Sequence, residues 1–245
     1  MTFNVTTLGD NVQAPSIIAE AYIPDQLIAG DLKIVSRSIT VSAGTLKRGT
    51  VLGQKTMASA TSAAKQGGNT GNGTLVMDVT TPVLANAKPG IYTVRNVIAG
   101  ANTGNFIVTD PLGNVVGDPI IPAGAGNSIT FANEIKFVIT DGATDFVVGD
   151  GFDITVASGD GSFIKSVKTA VDGSQYPIAI LADDADASSG AVTSGAYLMG
   201  EFNGSAISYD SSWGGSLAAA LANLRPLLDL RGIFLHSSIV AADPS

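Results

Sequence analysis

The sequence predicts a mainly β protein in two parts, a β-rich domain interrupted by an inserted small β-sandwich. Three observations carry this expectation. Strand-forming runs are short and separated by Gly, Pro, Asn and Ser turn signals, a spacing that favours sandwiches and barrels. The pattern changes character near Ala64 and again near Asp160, after which the first character resumes. Glycine-rich stretches, Gly67-Gly68-Asn69-Thr70-Gly71-Asn72-Gly73 and Ser158-Gly159-Asp160-Gly161-Ser162, stand at those changes and read as flexible linkers. Two linkers around one block are what an insertion requires, because the chain must leave and re-enter at neighbouring points.

Residues 1–28 read as an extended arm. Phe3, Val5, Leu8 and Val12 alternate loosely with polar residues, and Ile17, Ile18, Tyr22 and Ile23 add further apolar positions. No turn partner closes this stretch into a hairpin, so its backbone donors and acceptors are free to meet a sheet edge on another chain.

Residues 29–66 form the first half of the interrupted domain. Lys33 to Val41 is a strand, Ser42-Ala43-Gly44 a turn, and Thr50-Val51-Leu52-Gly53 the start of another strand. Gly49 and Gly53 bracket that run, as expected where strands bend or backbones approach closely.

Residues 67–159 form the insert, read as an Ig-like sandwich. Its strands are Thr74–Thr80, Ile91–Ile98, Asn105–Asp110, Val115–Gly117, Ile135–Thr140 and Phe152–Val156, with Pro111-Leu112-Gly113-Asn114 making one hairpin turn.

Residues 160–245 complete the first domain. Phe163 to Val167 returns the interrupted hairpin, and the apolar runs Tyr176–Leu181 and Ala196–Phe202 suit buried strands. Ile178, Ile180, Leu198 and Phe202 lie in these runs and are candidates for a subunit interface or for the core. Ser216 caps a short helix, Leu217–Leu224, which Pro226 ends. Arg231-Gly232-Ile233-Phe234-Leu235 is the final strand.

Composition narrows the function. The 245 residues are 45% hydrophobic and only 14% charged, so the surface is built largely from small neutral residues and suits large protein contacts. A net charge of −8 argues against nucleic acid, which is held by Lys and Arg clusters. The absence of Cys removes disulfides, thiolate metal sites and a cysteine nucleophile. The N-terminus lacks a basic region, and Pro15 and Glu20 interrupt its apolar stretch, so no signal peptide is expected. No apolar run approaches the roughly 18 residues of a membrane span. The chain is expected to be soluble and made in a cytoplasm.

Chemistry has few footholds. His236 is the only histidine, and no G-x-S-x-G elbow accompanies it. Asp183, Asp184 and Asp186, and separately Asp141, Asp145, Asp150 and Asp153, are groups that could supply hard oxygen ligands for calcium; neither has EF-hand spacing, and the plainer reading is strand-end and turn residues. Gly67 to Gly73 lacks the Lys-Ser/Thr of a phosphate loop. Neither a cofactor, a metal site nor an enzymatic activity is expected.

Tyr22-Ile23-Pro24-Asp25-Gln26-Leu27-Ile28-Ala29-Gly30-Asp31, Leu46 to Gly53, Asp172 to Ala182, Gly200 to Asn203 and Arg231 to Leu235 occur in an order that resembles the lambda-type head decoration proteins of tailed bacteriophages. The insert departs from the minimal family pattern, although Asp141 to Asp150 resembles inserts of some phage decoration proteins. The resemblance implies a β-tulip fold with one or two short helices and assembly as a homotrimer. It implies a place on the outer surface of the virion, on three-fold and quasi-three-fold positions of the expanded head, after synthesis in the bacterial host cytoplasm. There the trimer clamps the major capsid protein, with the arm adding a strand to it. Two other readings stand beside this one. The insert could act as an adhesion module for host-surface glycans, or as a virion hydrolase using Asp145 or Asp150.

Overall fold

A computed structural model of the chain describes residues 26–237. Strands β1 (Val35–Val41), β2 (Thr45–Leu46) and β3 (Val51–Gln54) come first. They are followed by β4 (Met57–Ala64), β5 (Thr74–Met77), β6 (Gly90–Gly100), β7 (Thr103–Thr109) and β8 (Val115–Gly117). Next come β9 (Ile120–Ile121), β10 (Ser128–Ala132), β11 (Lys136–Thr140) and β12 (Gly151–Ser158). The chain then forms β13 (Phe163–Lys165), β14 (Pro177–Leu181), β15 (Ala185–Asp186), β16 (Val192–Asn203), helix α1 (Leu217–Asp229) and β17 (Ile233–His236). The fold is mainly β with one α-helix among the described residues, consistent with a β-tulip.

The strands β1, β13, β3, β14 and β16 are joined in that order, and β1 closes the ring by pairing antiparallel with β16 from Val41↔Val192 to Val35↔Met199. A short ribbon of β2 and β15 lies beside it, and β17 runs parallel to the far end of β16, Gly200↔Ile233 onward. Neighbouring residues of a strand face opposite sides of a sheet, and here both sides are buried. Leu52, Ala179 and Leu181 pack with Ile39, Val41, Phe163 and Ala196, while Val51 and Ile180 pack with Phe202, Trp213, Leu224 and Leu228 beneath α1. This is why Ile178 to Leu181 is apolar throughout instead of alternating, while Tyr176, ahead of the strand, is exposed. Gly53 belongs where two backbones meet, since a Cβ there would overlap the Ser174 carbonyl.

A second body of structure has its own core. The sheet β4-β12-β6-β7-β8, with β9 also on β7, faces the three-stranded sheet β10-β11-β5. Tyr92, Val94, Phe106, Val108, Phe152 and Ile154 from one sheet meet Phe137 and Ile139 from the other, and every residue of this core falls between Met57 and Val156. The residues of the other two cores fall within 27–52 and 163–235.

Two expectations need correction. Gly67 to Gly73 is a packed loop between β4 and β5, not a linker. The Asp150 carboxylate accepts from the amides of Thr70 (2.9 Å) and Gly71 (2.8 Å), and the Gly151 amide donates to Asn69 Oδ1 at 2.8 Å. The crossing between the two bodies lies ten residues earlier, where the Lys55 amide donates to the Ser162 carbonyl (2.9 Å) and the Gly159 amide to the Thr56 carbonyl (2.9 Å). Only the second glycine-rich stretch stands at that crossing. Helix α1, in turn, begins at its Ser216 cap but runs past Pro226 to Asp229. Proline removes one backbone donor from a helix interior, a loss of about 3 kcal/mol. Here the added turn buries Leu228 on the same face as Leu224, and that packing offsets the loss. Strands β2, β4, β9, β10 and β15 have no counterpart in the sequence reading.

Candidate functional site

The arm residues Phe3, Val5, Leu8, Val12, Ile17, Ile18, Tyr22 and Ile23 lie outside the described residues. What the structure does describe is the root of the arm. Leu27 to Ala29 lies antiparallel to the end of β16, with Ile28 opposite Phe202. The Asn203 amide donates to the Leu27 carbonyl (2.8 Å) and the Ala29 amide to the Glu201 carbonyl (3.0 Å). The Leu27 side chain is buried with Phe202 and Trp213. Among the described residues, the chain is therefore fastened to the barrel from Leu27 onward.

Glu201 secures that root. Its Oε2 accepts from the Leu32 amide at 3.1 Å, and its Oε1 lies 3.1 Å from Nε2 of His236. The Leu32 amide first, and His236 second, hold the Glu201 carboxyl below the usual range. Gly30 fits because a Cβ there would overlap the Glu201 side chain. The one histidine is thus a partner of a structural carboxylate, and neighbouring Ser237 accepts from Arg225 Nη2 at 2.8 Å.

The four candidate interface residues separate into two pairs. Ile180 and Phe202 are 0% exposed within a single chain, so both are core. Ile178 and Leu198 are half-buried against the cluster of Ile39 and Leu181. An irregularity in the β14–β3 register between Pro177 and Ala179 turns Ile178 away from the side that Ile180 occupies.

The acidic groups also separate. Asp184 pairs with Lys47 at 2.7 Å and accepts from the Arg48 amide at 2.8 Å; Lys47, then that amide, hold its carboxyl low. Both partners are largely exposed, and such pairs contribute little to stability. Asp186 accepts from Thr45 Oγ1 and the Ser188 amide and closes the β2–β15 ribbon. In the second body, burial pushes the Asp150 carboxyl up, but the amides of Gly71, Thr70 and Val147 outweigh it and hold the group low. Asp145 accepts from the Asn102 amide at 2.8 Å, and Asp153 pairs with Arg95. Asp145 and Asp150 thus fasten loops, and Asp153 ties β12 to β6. Among the described residues, no three His, Asp or Glu side chains are grouped so as to hold a metal ion.

A further polar cluster escaped the sequence reading. Lys88 Nζ reaches Glu134 Oε1 (2.6 Å) and Asp110 Oδ2 (3.1 Å), while the Tyr92 hydroxyl donates to Glu134 Oε2 (2.6 Å). Burial, then Glu134, push the Tyr92 phenol well up. Burial opposes ionisation of Asp110, yet bonds from Asn114, Lys88 and Leu112 bring its carboxyl down to about 2. Glu134 was a usable signal, since the chain has only three glutamates and Glu134 stands in the insert beside strand formers. The aromatic residues Tyr92, Phe106, Phe131, Phe137, Phe146 and Phe152 are all buried in the second core, so none forms an outward platform for stacking a sugar ring.

Comparison with known proteins adds one specific finding. The family model described as bacteriophage lambda head decoration protein D matches residues 17–227. No curated protein matches the chain. Among solved structures, the crystal structure of FlgL from Xanthomonas campestris aligns at 21% identity with a TM-score of 0.28, covering 46% of this chain and 34% of that one. That similarity is too low to carry an argument about fold or function.

Proposed function

The chain belongs to the bacteriophage lambda head decoration protein D family, a family of structural head proteins with a capsid decoration role, and from this premise we propose that it binds the expanded head as a homotrimer at three-fold and quasi-three-fold positions and holds the major capsid protein lattice together. The observation that carries the reading is the extent of the family match, which starts at residue 17 in the arm and takes in the barrel strands and most of α1. The physics is mass action: a ligand that binds only the expanded lattice stabilises that lattice, and three linked sites bind far more tightly than one. Expanded and unexpanded shells incubated with the purified chain test it. Saturable binding to expanded shells alone, three chains per occupied site, with a higher shell melting temperature, is the expected result. Equal binding to both shells, or bound shells that melt no later than bare ones, would reject the proposal.

Residues 57–158 are proposed to be an inserted domain that decoration does not need. Lys55-Thr56 and Gly159-Asp160 already approach one another as a hairpin, so a short turn between Thr56 and Gly159 reconnects β3 to β13. Such a variant should remain folded and bind expanded shells. A cut at 67–159 leaves β4 without β12, exposes Met57 and Ala60, and should aggregate. Light scattering and circular dichroism on the two variants distinguish them; aggregation of both would count against the two-domain arrangement.

A further inference from the structure

One end of the sandwich holds buried acceptor oxygens that no donor among the described residues meets. Asp141 directly follows β11, on whose inward row Phe137 and Ile139 enter the core, and it continues that row. Its side chain therefore turns toward the end of the core, and the residue is 5% exposed. Among the described residues neither carboxylate oxygen accepts a hydrogen bond, although the Asp141 amide donates normally to the Asn127 carbonyl at 2.9 Å. On the facing sheet, Asn96 is 1% exposed and its Oδ1 is likewise without a donor. Its amide nitrogen donates to the Val147 carbonyl at 3.1 Å, which fixes the orientation of the side chain.

Both residues open on the loop that joins β11 to β12. The Asn96 amide donates to the Asp150 carbonyl (2.7 Å), and the Gly149 amide donates to the Asn96 carbonyl (2.8 Å). The 69–73 loop closes from the side, tightly enough that a Cβ on Gly142 would overlap Asn72. Donors are not scarce in this region, since Asp150 alone takes three backbone amides. They are directed at Asp150 and Asp145, and Asp141 is left out.

A buried carboxylate without a counter-charge or donor is too costly to persist in a folded domain. Acceptors that face no donors suit a hard cation, and calcium takes carboxylate, amide and backbone carbonyl oxygens together in flexible geometry. Magnesium fits less well, because it keeps much of its own water and demands octahedral order. We infer that Asp141 and the Asn96 Oδ1 are the side-chain ligands of a calcium site that locks the loop end of the inserted sandwich. With a single carboxylate, the site belongs to the weak class, with Kd on the order of 10⁻⁴–10⁻³ M.

The full chain, dialysed against chelator, tests this by melting and by calorimetric titration with calcium or magnesium chloride. Calcium at ~10 mM should raise the melting temperature on the order of 5 °C, and magnesium should do much less. Titration should saturate at one calcium per chain, and Asp141→Asn should lose both the heat and the shift. If that variant does not fold, titration of the unaltered chain decides alone. Absence of calcium binding would overturn the inference, as would binding that survives in a folded Asp141→Asn.

Discussion

A chain lacking residues 1–21 is expected to bind expanded capsids more weakly by a factor on the order of 10²–10⁴ while its own melting temperature stays unchanged. The two halves of this expectation have different sources. Stability is expected to hold because the barrel cores and the bonds that fasten Leu27, whose side chain is in the core and whose carbonyl accepts from Asn203, all lie beyond the deleted residues. Removing residues before Tyr22 takes away none of those contacts. Affinity falls because, in the proposed assembly, three arms leave one trimer and each adds a strand to capsid protein, so that losing all three removes linked contacts at once. Backbone pairing of this kind needs only an open edge and alternating side chains, which Phe3, Val5, Leu8 and Val12 approximate. Occupancy of expanded shells at limiting protein concentration measures the effect. Equal occupancy by the full-length and shortened chains would assign the whole binding surface to the barrel.

The longer strands of both bodies, β4 apart, were legible because most bury a stripe that sequence shows directly. Tyr92 and Val94, or Phe137 and Ile139, alternate with polar or half-exposed neighbours, while Ile180 sits in the unbroken run of a strand buried on both sides. What escaped depended on partners remote in sequence. Ile120-Ile121 is fenced by Pro119 and Pro122 and reads as loop, yet it pairs with Gly104 and Asn105 of β7. Pro226 carries a strong local stop signal, and only the burial of Leu228 overrides it. Gly67 to Gly73 has the composition of a free linker, but Asp150, about eighty positions later, ties down two of its amides. The same holds for the acidic residues. Asp141, Asp145, Asp150 and Asp153 look alike in sequence, and three are fastened by backbone amides or Arg95 while one is buried with no donor among the described residues. Composition cannot assign donors, so it could not single out Asp141.

Phe202→Ala should destabilise the barrel by about 3–5 kcal/mol, a large share of the roughly 5–15 kcal/mol that holds a domain folded. Phe202 is completely buried where four elements meet. It lies opposite Leu235 of β17 and Ile28 of the arm root, its ring centroid is 5.3 Å from that of Tyr197, and it shares a core with Trp213, Leu224 and Leu228. Trp213 cannot move to fill the space, because its Nε1 donates to the Ser166 carbonyl at 3.0 Å and Asn223 Nδ2 donates to its backbone carbonyl at 2.7 Å. The ring also secures the arm root, so its loss should loosen Leu27 and weaken capsid binding as a secondary effect. Melting curves across protein concentration separate the two roles this residue could hold. If Phe202 is core, the variant melts earlier by the same amount at every concentration. If it were chiefly a contact between subunits of the proposed trimer, the loss would depend on protein concentration and would vanish at dilutions where both chains are monomeric. The 0% exposure within one chain requires the first outcome, and observing the second would overturn the placement of Phe202 in the core.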